Sequence, residues 1–383
     1  MPDHALLSAS SSPRWLECPP SAKLCAEHPG RGSPFAQQGT DAHALAAYKL
    51  EKALGRRTRD PTENLTYFDA EMADCTDAYV AFVMEQLAEA KTLCPDPIVQ
   101  IEQKVSFARW VPEGFGTADA CIIADDTMYV IDLKYGTGVL VDADWNSQIM
   151  CYALGLLEQY DGIYDIRRVK MTIFQPRRDN VTTFGLTKEQ LLDWADNSLA
   201  PRAQLAWKGE GEFRAGSHCQ FCSVKGICRK RAEYNLEMAR YDFAMPDTLD
   251  GNEIASILPR IDQLISWGND VKEYALEQAL AGKRYPGYKI VAGRSVSRYV
   301  NDEAVAKAVI AVGEDPWEKK LLGITAMRTM PGRKKFDEIL GSLIIKPPGK
   351  PVLVPESDKR PALDTAETDF QNESNNEKGE KTI

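Results

Sequence analysis

The sequence lacks the two features that would place a protein in or beyond a membrane. No apolar stretch approaches the roughly 18 residues that a membrane-crossing helix needs. The first ten residues, MPDHALLSAS, contain no basic segment followed by an apolar one. We therefore expect a cytoplasmic protein without a membrane partner. In that reducing compartment its nine cysteines are expected to be thiols or metal ligands rather than disulfides.

A Walker A pattern and internal repeats are also absent from the sequence. Any ATPase or helicase activity would therefore belong to a separate protein. The formal net charge of −10 argues against a protein that coats nucleic acid without regard to sequence. It is compatible with an enzyme that contacts phosphates locally, because metal sites built from carboxylates are themselves acidic.

Helix and strand patterns alternate along the first part of the chain. Residues 1–35, rich in Ser, Pro and Gly, predict an irregular arm, and residues 99–135 alternate like a three-stranded meander. Helical periodicity runs from about Gln37, from Asp69 to Lys91, from Asp144 to Gln159 and after a capping Thr187, with VKMTIFQP as a further strand. This order predicts an α/β fold with a mixed sheet flanked by helices.

The chain is too long for one core of roughly 150 residues. We expect residues 1–235 to form the main domain and residues 236–345 a mainly helical accessory module. In that module Glu253–Leu280 is amphipathic and can bend at Pro259. Residues 346–383 are proline-rich and then acidic, which predicts an extended, disordered tail.

Two carboxylates and a lysine form the first candidate site. In VIDLKYG, Asp132 and Lys134 are two residues apart, so on a strand their side chains share one face. In GTADACI, Asp119 lies on the preceding strand, and a turn near Asp125–Thr127 would bring it close to Asp132. A salt bridge is the simpler interpretation of an aspartate beside a lysine. The trio also suits a Mg²⁺ or Mn²⁺ site where the lysine stabilises charge on a nucleophilic water or phosphate oxygen.

Four motifs in this order resemble the PD-(D/E)xK nuclease superfamily, in particular its RecB-like branch. That branch includes CRISPR-associated RecB-like exonucleases and the AddB nuclease domain. The match covers about residues 15–230. Its motifs are QQGTDAHAL with His43, GTADACI with Asp119, VIDLK with Asp132 and Lys134, and NSQIMCYALG with Gln148 and Tyr152. The resemblance implies a restriction-endonuclease-like fold.

The resemblance also implies a role for each matching residue. The cation would be bound by His43, Asp119, Asp132 and the Leu133 carbonyl, and the imidazole would favour Mn²⁺ over Mg²⁺. Asp119, Asp132 and Lys134 would be catalytic, with the lysine orienting or helping to deprotonate the attacking water. Gln148 and Tyr152 would hold the DNA phosphate. Glu102, one strand earlier, is either a solvated strand residue or a second-metal or DNA-positioning group.

Three of the cysteines lie close together in GSHCQFCSVKGICRK. Cys219, Cys222 and Cys228 have the spacing C-x2-C-x5-C. The same resemblance implies that they hold a [4Fe–4S] cluster with the upstream Cys18, which would staple the N-terminal arm to the end of the core. Structural Zn²⁺ is the alternative for four thiolates, and Cys25 or His218 are alternatives to Cys18. The other cysteines are expected to be small core side chains: Cys75, Cys94, Cys121 and Cys151.

Together these features predict a metal-dependent deoxyribonuclease, an exonuclease on DNA ends or single strands. The whole chain also resembles a family encoded by bacteriophages and prophages. That resemblance implies a role in phage DNA replication or recombination in the bacterial host cytoplasm, with recombination proteins or a separate helicase as partners. The alternatives are a catalytically silent DNA-binding accessory protein and a zinc-ribbon scaffold. A basic cluster in the accessory module is either a solvated helix end or a grip on the DNA backbone: Arg328, Arg333, Lys334 and Lys335.

Overall fold

The computed structural model describes residues 5–30, 34–237, 249–291 and 301–311, together with Trp317, Ile339, Leu340 and Leu343. The chain forms two compact units, Met1–Tyr288 and Lys289–Ile383. The predicted tail and the basic cluster of the accessory module lie outside the described residues. The division of the chain into main domain, accessory module and tail stays a prediction.

Within the described residues, five strands form one mixed sheet whose spatial order follows the chain. They are β1 (Ile98–Ser106), β2 (Phe115–Ala124), β3 (Thr127–Leu133), β4 (Arg168–Gln175) and β5 (Asn180–Thr187). All neighbours pair antiparallel except β3 and β4, which run parallel and are joined by a helical crossover. The predicted α/β class with a mixed sheet is therefore confirmed, and so is the three-stranded meander.

The turn between β2 and β3 sets the register that brings the two predicted aspartates together. Ala120 pairs with Ile131, so the same register places Asp119 opposite Asp132. Only two residues connect the strands, and the first, Asp125, has a φ of 45°. Tight hairpin turns require such a left-handed conformation. The approach of the two aspartates thus follows from the length of the turn.

Helices cover both faces of this sheet. The described helices of the first unit are α1 (Ser12–Glu17), α2 (Ser21–Glu27), α3 (Pro34–Ala53), α4 (Ala70–Leu93), α5 (Ser147–Tyr160), α6 (Lys188–Trp194), α7 (Ala200–Lys208), α8 (Arg229–Leu236) and α9 (Gly251–Leu280). The second unit contains α10 (Asp302–Ala311). One hydrophobic core joins α3 and α4 to one face, and a larger core joins α5 to α7 and the N-terminal helices to the other. No helix in the described part of the chain is long and apolar enough to cross a membrane.

Side-chain caps define where the helices that carry the site begin. The Asn146 side chain accepts hydrogen bonds from the backbone N–H groups of Gln148 and Ile149 at the start of α5. The Asp69 side chain accepts one from Met72 at the start of α4. Such caps satisfy backbone donors that have no partner within the helix.

Two local predictions are wrong. The N-terminal region is not an irregular arm, because its described residues include α1 and α2. Pro13 occupies the first turn of α1, and Trp15 is fully buried, so packing into the core outweighs a composition rich in Ser and Pro. Strand β5 is absent from the prediction, although its sequence NVTTFGLT is rich in β-branched residues.

Helix α9 is tied to the segment that bears the three clustered cysteines. Asp250 caps its start, and the helix continues through Pro259. Asp270 is only 8% exposed and forms ion pairs with Arg231 and, at 2.9 Å, with Lys225. Helix α9 therefore contacts α8 and the cysteine segment within one unit. Apolar residues of its predicted face are nevertheless exposed, among them Ile254, Ile261 and Ile265.

Candidate active site and cysteine pocket

A histidine and two carboxylates converge at one place on the sheet. His43 comes from α3, Glu102 from β1 and Asp119 from β2, and one ligand atom from each lies within 4.8 Å of the others. His43 Nδ1 is 3.2 Å from Asp119 Oδ1. Among the described residues, this is the one set of three or more His, Cys, Asp or Glu side chains with that spacing. The structure thus brings together two of the predicted metal ligands and adds Glu102.

The backbone of Glu102 departs from the regular strand. The pairs Ile101–Ala120 and Gln103–Ala118 flank it, so Glu102 lies opposite Asp119 in the register of β1 and β2. Its φ is 49°, in the left-handed region. A non-glycine residue in this region costs on the order of 1–3 kcal/mol, and such residues cluster at functional sites. Strand alternation in a sequence does not reveal such a conformation, which is why sequence reasoning left the role of Glu102 open.

A second group of polar contacts runs from β3 to α5. Lys134 Nζ lies 2.9 Å from Asp132 Oδ2 and donates a hydrogen bond of 2.9 Å to Gln148 Oε1. Gln148 Nε2 donates to the Tyr152 hydroxyl at 2.9 Å and, at 3.4 Å, to Asp132 Oδ1. The structure therefore links the predicted acid–lysine pair with both predicted phosphate-binding residues.

The backbone at the end of β3 connects the two groups. The Leu133 N–H donates a hydrogen bond of 2.7 Å to Asp119 Oδ2. The preceding residue, Asp132, is 2% exposed and lies against Lys134 rather than in the three-ligand set. The predicted metal site of His43, Asp119, Asp132 and the Leu133 carbonyl stays a prediction.

The charges of this site perturb His43 and Glu102 strongly. Burial disfavours the charged imidazolium, but the charge and hydrogen bond of Asp119, with Asp132 and Glu102 nearby, outweigh it and raise the pKa of His43 to about 9. Burial and the negative charge of Asp119 raise the pKa of Glu102 to about 7. At pH 7 His43 therefore holds a proton and Glu102 is about half-protonated, and a cation that binds there must displace these protons.

The two aspartates shift in opposite directions. Burial would raise the pKa of Asp119, but the charge and hydrogen bond of His43, with help from Lys134, lower it overall. Burial raises the pKa of Asp132, and the neighbouring charge of Lys134 offsets this only in part. An unequal pair of carboxylates beside cationic groups is typical of active sites.

The three-ligand set opens onto a narrow pocket of about 180 Å³. The pocket is lined by His43, Ala46, Ala47, Leu50, Tyr79, Ile101, Glu102, Asp119 and Leu133. Tyr79, from α4, is 2% exposed, and its hydroxyl has no hydrogen-bond partner among the described residues. Sequence reasoning missed Tyr79, because helical periodicity places it on the inner face of α4 and does not separate it from the core.

The four cysteines predicted to hold a cluster line a single pocket of about 330 Å³. Cys18, Cys219 and Cys222 are buried and Cys228 is half-buried. Cys18 follows the last residue of α1, and the other three lie between α7 and α8. The structure thus places Cys18 with the three downstream cysteines, from which it is separated by about two hundred residues of sequence.

Cys25 adds a further sulfur beside this pocket. Its Sγ lies 3.5 Å from Cys222 Sγ, and Arg14 Nη1 donates to it at 3.0 Å. The hydrogen bond from Cys222 outweighs burial and, with Ser223 and Arg14, lowers the pKa of the Cys25 thiol to about 5. The same contact and burial raise the pKa of Cys222. The remaining cysteines pack with apolar residues, as predicted: Cys75, Cys94, Cys121 and Cys151.

Comparison with known proteins places the chain in a family. The family model described as "Protein of unknown function (DUF2800)" matches residues 4–361. The chain belongs to this family. A solved structure described as "Crystal structure of SSO0001" is 14% identical over 50% of this chain and 98% of that one, with a TM-score of 0.22. So low a TM-score carries no argument about fold.

In this DUF2800 protein the site combines two chemical capacities. One imidazole and two carboxylates offer the donor atoms that divalent cations such as Mn²⁺ and Mg²⁺ accept. A lysine ammonium, fixed by two hydrogen-bond acceptors next to them, offers a positive charge for an anionic reactant.

Proposed function

We propose that this protein is a metal-dependent phosphodiester hydrolase acting on DNA, built on a PD-(D/E)xK nuclease core of the RecB-like type. The observation that carries the proposal is the convergence of His43, Glu102 and Asp119 beside the ion pair of Asp132 and Lys134. The proposed action is exonucleolytic, on DNA ends or single strands, in phage or prophage replication or recombination.

The residues present fit a divalent cation. Carboxylate oxygens are the preferred ligands of Mg²⁺ and Mn²⁺, and the His43 imidazole shifts the preference toward Mn²⁺. The Tyr79 hydroxyl, which has no hydrogen-bond partner among the described residues, provides a polar atom in the same pocket that a bound ion can satisfy. His43, Asp119, Asp132 and the Leu133 carbonyl would hold the ion, with Glu102 alongside. A bound divalent cation supplies charge stabilisation at the phosphate and lowers the pKa of a water that attacks it.

Lys134 is the proposed catalytic lysine. Its contacts to Asp132 and Gln148 hold the ammonium in one place, and its side chain is still 23% exposed. There it stabilises negative charge that develops on the phosphate and orients the attacking water. Tyr152 accepts the hydrogen bond from Gln148, which leaves its own O–H to donate to a phosphate oxygen.

The cysteine pocket supports a [4Fe–4S] cluster better than zinc. A Zn–S distance of about 2.3 Å puts tetrahedral thiolates roughly 3.8 Å apart. No three cysteine sulfurs in the described part of the chain lie within 4.8 Å of one another. A larger group suits this wider spacing of the sulfurs. We propose Cys18, Cys219, Cys222 and Cys228 as its ligands, so that the cluster staples the N-terminal helices to the end of the core.

The test is cleavage of end-labelled single- and double-stranded DNA by anaerobically purified protein, with Mn²⁺, with Mg²⁺ and with a chelator. Asp119→Ala, Asp132→Ala and Lys134→Ala should each lower the rate by ~10²-fold or more, because each removes preorganised charge. Asp126→Ala and Lys170→Ala are matched controls, since these residues form ion pairs on the exposed surface. Metal-dependent cleavage that survives in any of the three site variants would refute the assignment. DNA binding by the wild type without any cleavage would favour the silent accessory protein.

A further inference from the structure

The contact between Cys25 and Cys222 is not explained by a four-cysteine cluster site. The two sulfurs are 3.5 Å apart although 197 residues separate them in sequence. Cys25 belongs to α2, whereas Cys222 follows the turn at Ser217–Phe221. Cys25 does not line the pocket that the four predicted ligands share.

The environments of the two sulfurs differ in a way that assigns them different chemical roles. Cys25 is half-buried, and the Arg14 guanidinium donates to its Sγ at 3.0 Å. Cys222 is only 8% exposed. A small oxidant therefore reaches Cys25 first, and positive charge beside a sulfur favours the reactive thiolate. Cys222 lies behind it, within reach for a second step.

We propose that Cys25 and Cys222 form a disulfide when the cysteine pocket holds no metal group, and that this disulfide prevents Cys222 from acting as a cluster ligand. The bond requires the sulfurs to close from 3.5 Å to about 2.05 Å. The disulfide follows from the geometry alone, and only its effect on the cluster rests on the proposed cofactor.

The oxidant is a hydroperoxide, and the chemistry balances in two steps. The Cys25 thiolate attacks a peroxide oxygen, the O–O bond breaks, and the products are a sulfenic acid at Cys25 and hydroxide. The Cys222 sulfur then attacks the Cys25 sulfur, forming the S–S bond and releasing the sulfenic oxygen as water. The two thiols lose two electrons and two protons, and hydrogen peroxide becomes two molecules of water.

The direct test is peptide mapping of full-length protein made metal-free with a chelator and reductant, then desalted. After equimolar hydrogen peroxide, alkylation of free thiols and non-reducing trypsin digestion, LCAEHPGR should be linked to AGSHCQFCSVK. The second peptide contains both Cys219 and Cys222, so fragment ions between them identify the partner. Cys25→Ser should abolish the linked peptide, and Cys75→Ser, which removes another half-buried thiol, should leave it unchanged. Linkage to Cys219, or free Cys25 and Cys222 after peroxide, would overturn the proposal.

Iron uptake tests the consequence separately. Peroxide-treated wild type should take up no iron from Fe²⁺ and sulfide until a thiol reductant is added. Cys25→Ser should take up iron to the wild-type level with or without prior peroxide. If a folded Cys25→Ser variant takes up no iron, Cys25 is itself a cluster ligand, and the proposal that its disulfide blocks Cys222 is wrong. If no variant and no form of the wild type binds iron, the proposed cofactor fails while the peptide map still decides the disulfide.

Discussion

The hydroxyl of Tyr79 allows a stability measurement that reports on the candidate metal site without any enzyme assay. It is buried, lines the pocket of His43, Glu102 and Asp119, and has no hydrogen-bond partner among the described residues. An unsatisfied buried hydroxyl costs about 1–3 kcal/mol, whereas an apolar replacement of the same shape does not bear that cost. Tyr79→Phe should therefore raise the free energy of unfolding of the metal-free protein by about 1 kcal/mol or more.

The assay is thermal unfolding followed by circular dichroism, with a chelator and again with saturating Mn²⁺. For domains of 150–250 residues the melting temperature shifts by roughly 2–4 °C per kcal/mol. In the presence of the chelator Tyr79→Phe should therefore melt a few degrees above the wild type. With Mn²⁺ the difference in melting temperature should shrink or reverse, because an ion bound in the pocket gives the wild-type hydroxyl a partner.

Tyr135→Phe is the matched control. The Tyr135 hydroxyl is also buried and unpartnered among the described residues, but it does not line the metal pocket. The gain in stability from Tyr135→Phe should therefore be the same with chelator and with Mn²⁺. If Tyr79→Phe is less stable than the wild type in the presence of the chelator, the Tyr79 hydroxyl already has a partner, and the reasoning is refuted. If Tyr79→Phe gained equal stability with and without Mn²⁺, the Tyr79 hydroxyl would not be a partner of the bound ion.

Three further outcomes follow from the structure. Mn²⁺ binding at pH 7 should release about one and a half protons, because His43, with a pKa of about 9, and Glu102, with a pKa of about 7, must lose theirs. Calorimetry in buffers of different ionisation enthalpy measures this release, which should fall to about half a proton at pH 9, where His43 is still half-protonated. Its absence at pH 7 would contradict the ligand set. Asp270→Ala removes the carboxylate that pairs with the buried Arg231, at a cost of roughly 3–5 kcal/mol. Amide hydrogen exchange in helix α9 should therefore accelerate, and unchanged protection would show that the ion pair does not hold the helix. Cys18→Ser should lose iron and visible absorption as completely as Cys222→Ser, and full iron content in the first variant would make another residue the fourth ligand.

The sequence predicted those parts of the site that depend on local geometry. Asp119 and Asp132 were expected to meet because a two-residue turn fixes the register of β2 and β3, and they lie opposite each other. Gln148 and Tyr152 were expected on one helical face because they are four residues apart, and they hydrogen-bond to each other.

The rest of the site depends on features that no periodicity encodes. Glu102 joins the set in a left-handed conformation that strand alternation does not indicate. Tyr79 matters because its hydroxyl lacks a partner among the described residues, and a pattern of apolar positions does not indicate the surroundings of a single oxygen atom. The N-terminal helices depart from the prediction because the burial of Trp15 outweighs a composition rich in Ser and Pro. In each case the deciding fact is a tertiary contact, or the lack of one, that a local pattern does not encode.

The N-terminal helix α1 provides a physical connection between the cysteine pocket and the candidate active site. At one end, Ser12 Oγ forms a buried hydrogen bond of 2.7 Å with Ser147 Oγ, next to Gln148 at the start of α5. At the other end the chain continues directly into Cys18, which lines the cysteine pocket. The helix is six residues long, about 9 Å at 1.5 Å per residue. A metal group bound by Cys18 would therefore also restrain the start of α5, and with it the glutamine that contacts the ammonium of Lys134.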